Sequence, residues 1–202
     1  MNELDEIYGF VKKRIGQLDE ETPYSRAMCA RLRRAIGKSP ADVPDVWEVT
    51  LPDFETYAPA DGISAAEWAI HTALSLYAMH RQGTNSAVYM EGEGFGKAVA
   101  SLIKEDENRD AVTRRFNAAA TSAEFTELAN HARSLIQLLK QVSNKPIDYP
   151  RFATELYLFQ RGNADRVRLK WGRDFYSYSG QNIKQGTKQD TPNEADETKE
   201  GV

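Results

Sequence analysis

The chain has 202 residues, with 26 Lys and Arg, 30 Asp and Glu, three His, one Cys and a formal charge of −4. At about 100–200 residues per domain this is one domain, long enough to bury about 70% of the surface its unfolded chain exposes. A single cysteine excludes an internal disulfide and, within one chain, any zinc site built on two or four cysteines. The longest charge-free apolar stretch, Trp68 to His80, is too short to span a bilayer, and the acidic opening MNELDEIYGF lacks the basic region of a signal peptide. The expectation is a cytoplasmic protein without membrane attachment.

Apolar spacings of three and four run through most of the chain and predict helices. Leu4, Ile7, Val11, Ile15 and Leu18 make the first. Thr22 as cap and Pro23 at the first helical position open a second, which Gly37 ends. Pro40, Pro44, Pro52 and Pro59 punctuate a loop-rich connection with one short helix around residues 43–49. Ser64 and Glu67 form a capping box for a helix through Trp68, His71, Leu74 and Ala78 that stops before Gly83. The glycines at 92, 94 and 96 read as a flexible lead-in to a short helix on Phe95, Val99 and Leu102. Residues 110–120 form another helix. Thr121 and Glu124 make a second capping box, opening a long helix on Phe125, Leu128, Ala132, Leu135, Leu139 and Val142. Pro150 starts a helix on Phe152, Leu156 and Phe159 that Gly162 breaks, and a last one runs from about residue 164 to 176. No Val/Ile/Thr-rich run alternates with period two, so strands are not expected. The sequence therefore predicts an all-α, single-domain helical bundle of about eight to nine helices over residues 1–178. A polar tail over 179–202, almost without apolar side chains from Ile183 onward, is expected to be disordered.

No constellation points to catalysis or to a metal. His71 and His80 are nine apart, not at the spacing of three or four that places two ligands on one helix face, and His131 sits beside an apolar stripe. Each reads as a core or flanking histidine. Cys29, among Met28, Leu32 and Ile36, reads as a buried thiol. The run Gly92-Glu93-Gly94-Phe95-Gly96-Lys97 fails both phosphate-loop patterns, and Glu91 and Glu93 would repel a phosphate. Lys97, at the start of the following helix, remains a candidate backbone-phosphate contact. No carboxylates cluster at metal spacing, and no cofactor is expected.

The charge of −4 argues against a nucleic-acid partner only until it is partitioned. Residues 1–21 hold six acids and three bases, and residues 176–202 hold five acids and three bases. The body between them, residues 22–175, has 19 acids and 20 bases. Within it, residues 26–38 contain Arg26, Arg31, Arg33, Arg34 and Lys38 with no acid, and residues 161–173 contain Arg161, Arg166, Arg168, Lys170 and Arg173 against Asp165 alone. On a helical projection these bases lie away from the apolar stripes, as does Arg114, with Arg115 on the flank of its helix. Most are arginine, whose planar fork suits phosphate. Three helices with mainly basic outer faces point to a polyanion, whereas ordinary solvated faces mix signs.

The order of blocks also matters: Arg26 to Arg34, Trp68 to Leu74, Gly94 to Ala98, Arg114-Arg115-Phe116, Leu128 to Leu139, Ile147 to Tyr149, and Arg166 to Tyr176. Together they resemble CasB, the small subunit of the type I-E CRISPR Cascade complex, over about Tyr24 to Tyr176. Phe95 and Val99 stand where that family is expected to carry leucine. The resemblance implies a small helical protein without catalytic activity. Two copies of it lie within a crRNA-guided surveillance complex beside the other Cascade subunits, helping to hold the crRNA–target DNA duplex and the displaced strand in the R-loop. It implies nucleic-acid contacts at Arg33, Arg34, Arg114, Arg115 and Arg133, and from the closing block at Arg166, Arg168, Lys170 and Arg173. The competing reading is a helical scaffold whose basic faces dock acidic partner proteins.

Overall fold

The structure, a computed structural model, describes residues 2–51 and 62–186, with side chains to Ser179. Pro52, Pro59 and residues 187–202 of the expected tail lie outside the described residues. Nine α-helices occur among those described: α1 (Glu3–Asp19), α2 (Pro23–Ala35), α3 (Trp47–Thr50), α4 (Ala65–Arg81), α5 (Phe95–Ala100), α6 (Asp106–Ala120), α7 (Phe125–Val142), α8 (Tyr149–Leu158) and α9 (Ala164–Gly186). Two short 3₁₀ turns, Pro40–Asp42 and Pro44–Val46, precede α3. The only strand-like pairing among the described residues is a single bridge between Tyr89 and Ile147.

Local chemistry sets most of the helix starts. Thr22 accepts from the Ser25 N–H while the Ser25 hydroxyl accepts from the Thr22 N–H, and Pro23 occupies the first helical position. Ser64 and Glu67 form the expected box at α4. The second expected box does not form. The Thr121 and Ser122 hydroxyls donate backwards, to the Asn117 and Ala118 carbonyls, so they finish α6 instead of starting α7. Glu124 takes the cap position without a side-chain bond, and the Glu127 carboxylate accepts from the Ala123 N–H. Helix α6 also begins a turn earlier than expected, with Asp106 and Glu107 favourably placed in its first turn. Helix α9 continues past Tyr176 to Gly186.

Helix α4 is the central element. From Ala69 to His80 every residue is buried, as befits a helix covered on all sides. It packs against α1, α2, α7 and α8. A second layer forms where α5 crosses α9. A Cβ on Gly96 would lie 2.2 Å from the Trp171 carbonyl oxygen, so only glycine lets the two backbones meet. This corrects the reading of Gly96 as part of a flexible lead-in. Phe95 and Phe152 then pack on Trp171, with ring centroids 4.7 and 6.0 Å from it, and Phe116 stacks on Phe175 at 4.1 Å. Gly162, at φ +79°, supplies the left-handed turn between α8 and α9. No helix among the described residues is long and apolar enough to cross a membrane.

Candidate nucleic-acid interface

Residues 22–41, which include α2, and 128–147, which include most of α7, are both long stretches without Asp or Glu. The fold brings them side by side. Buried Met28, Leu32 and Ala35 anchor α2 to the core, which turns Arg31 and Arg34 to solvent and leaves Arg33 half-buried, 3.4 Å from the Ala78 carbonyl. Leu128, Ala132, Leu135 and Leu139 anchor α7, leaving Arg133 exposed and Lys140, seven residues on, along the same face. Arg31, Arg34 and Lys38 line one hollow, bordered also by Asp42 and Asp45. Lys38 lines the adjoining cleft as well, and Arg133 is part of that cleft. Arg33 reaches the neighbourhood of Lys140, whose ammonium burial and the Arg33 charge hold below the ordinary lysine pKa. Like charges so close to one another repel, and an anion laid across them relieves the repulsion.

A second basic surface lies on α6 and α9. Arg166, Leu169, Arg173 and Tyr176 follow each other at i, i+3, i+7 and i+10, and all four are exposed, Leu169 by 59% and Tyr176 by 55%. The Tyr176 hydroxyl donates to the Asn117 side chain at 3.4 Å, which joins this stripe to the helix carrying exposed Arg114 and Arg115. An exposed aromatic between guanidinium groups suits single-stranded nucleic acid, which offers phosphates and unstacked rings together.

Three of the ten expected contact residues spend their charge inside the molecule. The Lys97 ammonium lies 2.8 Å from Glu93. Lys170 sits 2.7 Å from Glu155, a buried carboxylate that also accepts from Arg151 and from the Trp171 indole N–H at 2.7 Å. Withdrawing Lys170 would leave part of a buried charge uncompensated. Arg168 pairs with Asp165 at 3.0 Å, donates to the Ser122 carbonyl at 2.6 Å and covers the Phe159 ring. The helical projection places Lys170 with Arg166 and Arg173, but only the fold shows the carboxylate waiting beneath it. Conversely, Arg31, Lys38 and Lys140 share the α2–α7 surface without having been singled out as contacts. The run without Asp or Glu from residue 128 to 147 is the signal for Lys140.

The remaining polar groups fit a core. His71 and His80 are buried, Cys29 is buried with its thiol pushed up by desolvation, and His131 lies 3.7 Å from Glu127. No group of three or more His, Cys, Asp or Glu able to hold a metal occurs among the described residues.

The family model described as CRISPR-associated protein Cse2 matches residues 28–176. The crystal structure of CasB from Thermobifida fusca is 32% identical, with a TM-score of 0.72, over 84% of this chain and 97% of that one. A CRISPR-associated protein of the Cse2 family from Thermus thermophilus shares the fold at 19% identity and a TM-score of 0.65, over 88% of this chain and 99% of its own. A chain of a CRISPR RNA-guided surveillance complex does so at 20% identity and 0.70, over 91% and 98%. No curated protein matches. An all-α bundle with these relatives is a CRISPR-associated protein. The chain belongs to the CRISPR-associated Cse2 family.

Proposed function

We propose that this chain is the non-catalytic small subunit of a type I-E CRISPR RNA-guided surveillance complex, where it holds nucleic-acid backbones and stabilises the R-loop. The observation that carries the proposal is the α2–α7 surface, on which Arg31, Arg34, Lys38 and Arg133 line two hollows that share a residue. Contacts of this kind position a strand without reading its sequence, as guided recognition requires, because base pairing to the guide does the reading. The α6–α9 stripe of Arg114, Arg115, Arg166, Arg173 and Tyr176 supplies a second surface for another strand or for a different part of the same one. The other Cascade subunits and a second copy of the chain are its partners, and two copies on one scaffold would gain from effective concentration.

The test is an assembled complex carrying Arg31→Ala, Arg34→Ala and Arg133→Ala together. All three side chains are exposed, so the fold should be kept. The complex should assemble with parental stoichiometry and lose R-loop stability, and the slope of log affinity against log salt should fall by about 2–3, near one unit per phosphate contact. A triple variant that holds the R-loop as the parent does would sink the proposal. Loss of assembly alone would assign this face to a protein partner.

A further inference from the structure

The cleft where Lys38 meets Arg133 is more than a gap in a basic surface. One wall comes from α4, where Trp68, His71 and Ser75 follow at i, i+3 and i+7. The facing wall comes from α7, where Phe125, Ala129 and Arg133 follow at i, i+4 and i+8. Trp68 and Phe125 meet edge to face at 5.9 Å. The enclosed space is about 70 Å³ behind an open mouth, room for the edge of one flat ring and not for a larger ligand.

Two buried polar atoms in this lining lack a protein partner. His71 is 2% exposed, and its Nε2–H donates to the Ala35 carbonyl at 3.2 Å, which leaves a lone pair on Nδ1. That Nδ1 has no partner, and neither has the Ser75 hydroxyl, on a residue 1% exposed. Burial lowers the His71 pKa, against the pull of the Ala35 and Lys38 backbone, so the ring is a neutral acceptor at pH 7. Orphan polar atoms in a core call for an explanation. An apolar side chain in the cleft would leave both unmet, and a carboxylate would face the Nδ1 lone pair. A nucleobase meets both, with an N–H for Nδ1, a ring or carbonyl acceptor for Ser75, and a flat face for the aromatic wall.

We infer that the α4–α7 cleft receives one unstacked base of a single strand whose flanking phosphates lie on Lys38 and Arg133. The inference rests on the nucleic-acid reading above and adds a base-binding site to a backbone-binding surface. Extruding a base into a pocket is easiest from a strand already unpaired. The cleft thus favours a displaced strand over a duplex.

The experiment compares the full chain's affinity at low salt for two oligonucleotides of equal length and charge, oligo-deoxycytidine and its abasic counterpart, with free cytidine monophosphate as a third arm. The base-bearing strand should bind about tenfold tighter than the abasic one, the gain expected from one stacked base. Ala129→Trp, which fills the cleft, should abolish that difference, and the abasic affinity, set by phosphates, is the internal control. Thr126→Trp, at an exposed position of the mouth, serves if Ala129→Trp fails to fold. All arms are measured in a Tyr176→Ala background, which removes stacking on the α6–α9 stripe, so that the remaining base dependence belongs to the cleft. Equal affinity for the two strands, or a difference that survives both cleft-filling variants, overturns the base site and leaves the backbone reading standing. Cytidine monophosphate binding as tightly as the oligonucleotide would make this a free-nucleotide site and overturn the inference too. Binding of neither strand defeats the reading beneath it as well.

Discussion

At His80 the imidazole is fully buried, 3.0 Å from the Tyr149 hydroxyl, and desolvation, with a smaller push from Lys140, lowers its pKa to about 4. An unfolded chain titrates its histidine near 6.5. Between those values the unfolded state binds the proton and the folded state refuses it. Stability is therefore full above about pH 6.5 and falls as the pH drops towards 4. His71 acts in the same direction. From His80 alone the loss by pH 5 is about 2 kcal/mol, at about 1.4 kcal/mol per pKa unit. Urea unfolding at pH 7 and pH 5 should show this drop in the parent and a clearly smaller one in His80→Gln. Equal drops in both proteins would mean that other groups carry the acid sensitivity.

Helices α5 and α9 show how closely an element's role depends on its partner. Gly96 has the Trp171 carbonyl oxygen 2.2 Å from where a Cβ would sit, and backbone cannot swing aside as a flexible side chain can. Gly96→Ala should destabilise by about 3 kcal/mol, the upper range for overpacking, as the two helices are forced apart. Gly9, exposed within α1 with nothing near its missing Cβ, is the control, and alanine there should stabilise by about 0.5–1 kcal/mol. Thermal melts of the two variants should move in opposite directions, and a Gly96→Ala protein as stable as the parent would refute the close approach. The same pair of helices shows what a sequence displays and what it withholds. Periodicity exposes the stripe of Val167, Trp171 and Phe175 because the core imposes it locally. Whether a glycine is a hinge or a crossing point is set by a helix some 75 residues away, and nothing local marks it. Lys170 and Arg168 follow the same rule. Their outward spacing on the helix is legible, but the buried Glu155 and the Ser122 carbonyl that claim them come from distant segments. Caps fall between these cases. The box at Ser64 and the cap at Thr22 are read correctly because both hydroxyls accept from the helix that follows, whereas those of Thr121 and Ser122 turn back to the helix before them.

Over the whole molecule the charge of −4 is a balance between regions of opposite sign. The α2–α7 surface is built from stretches with no acid, and residues 187–202 hold five acids and two bases. An acidic segment covalently tied to a basic surface competes for it with any polyanion. The competition is electrostatic and therefore screened, with a reach of about 10 Å at 0.1 M salt. Ending the chain at Gly186 takes the formal charge from −4 to −1 without touching a described side chain. The truncated protein should bind single-stranded DNA roughly two- to tenfold tighter than the full chain at about 50 mM salt, and equally at about 500 mM. Fluorescence anisotropy across that salt series measures it. A gain that persisted at high salt would point to steric blocking, and no gain at low salt would show that the terminal acids do not bear on the basic surface. In the expected case the acidic end restrains the free subunit from non-specific strands. Under the proposed function, specific engagement then depends on a complex that presents the strand to both basic surfaces at high effective concentration.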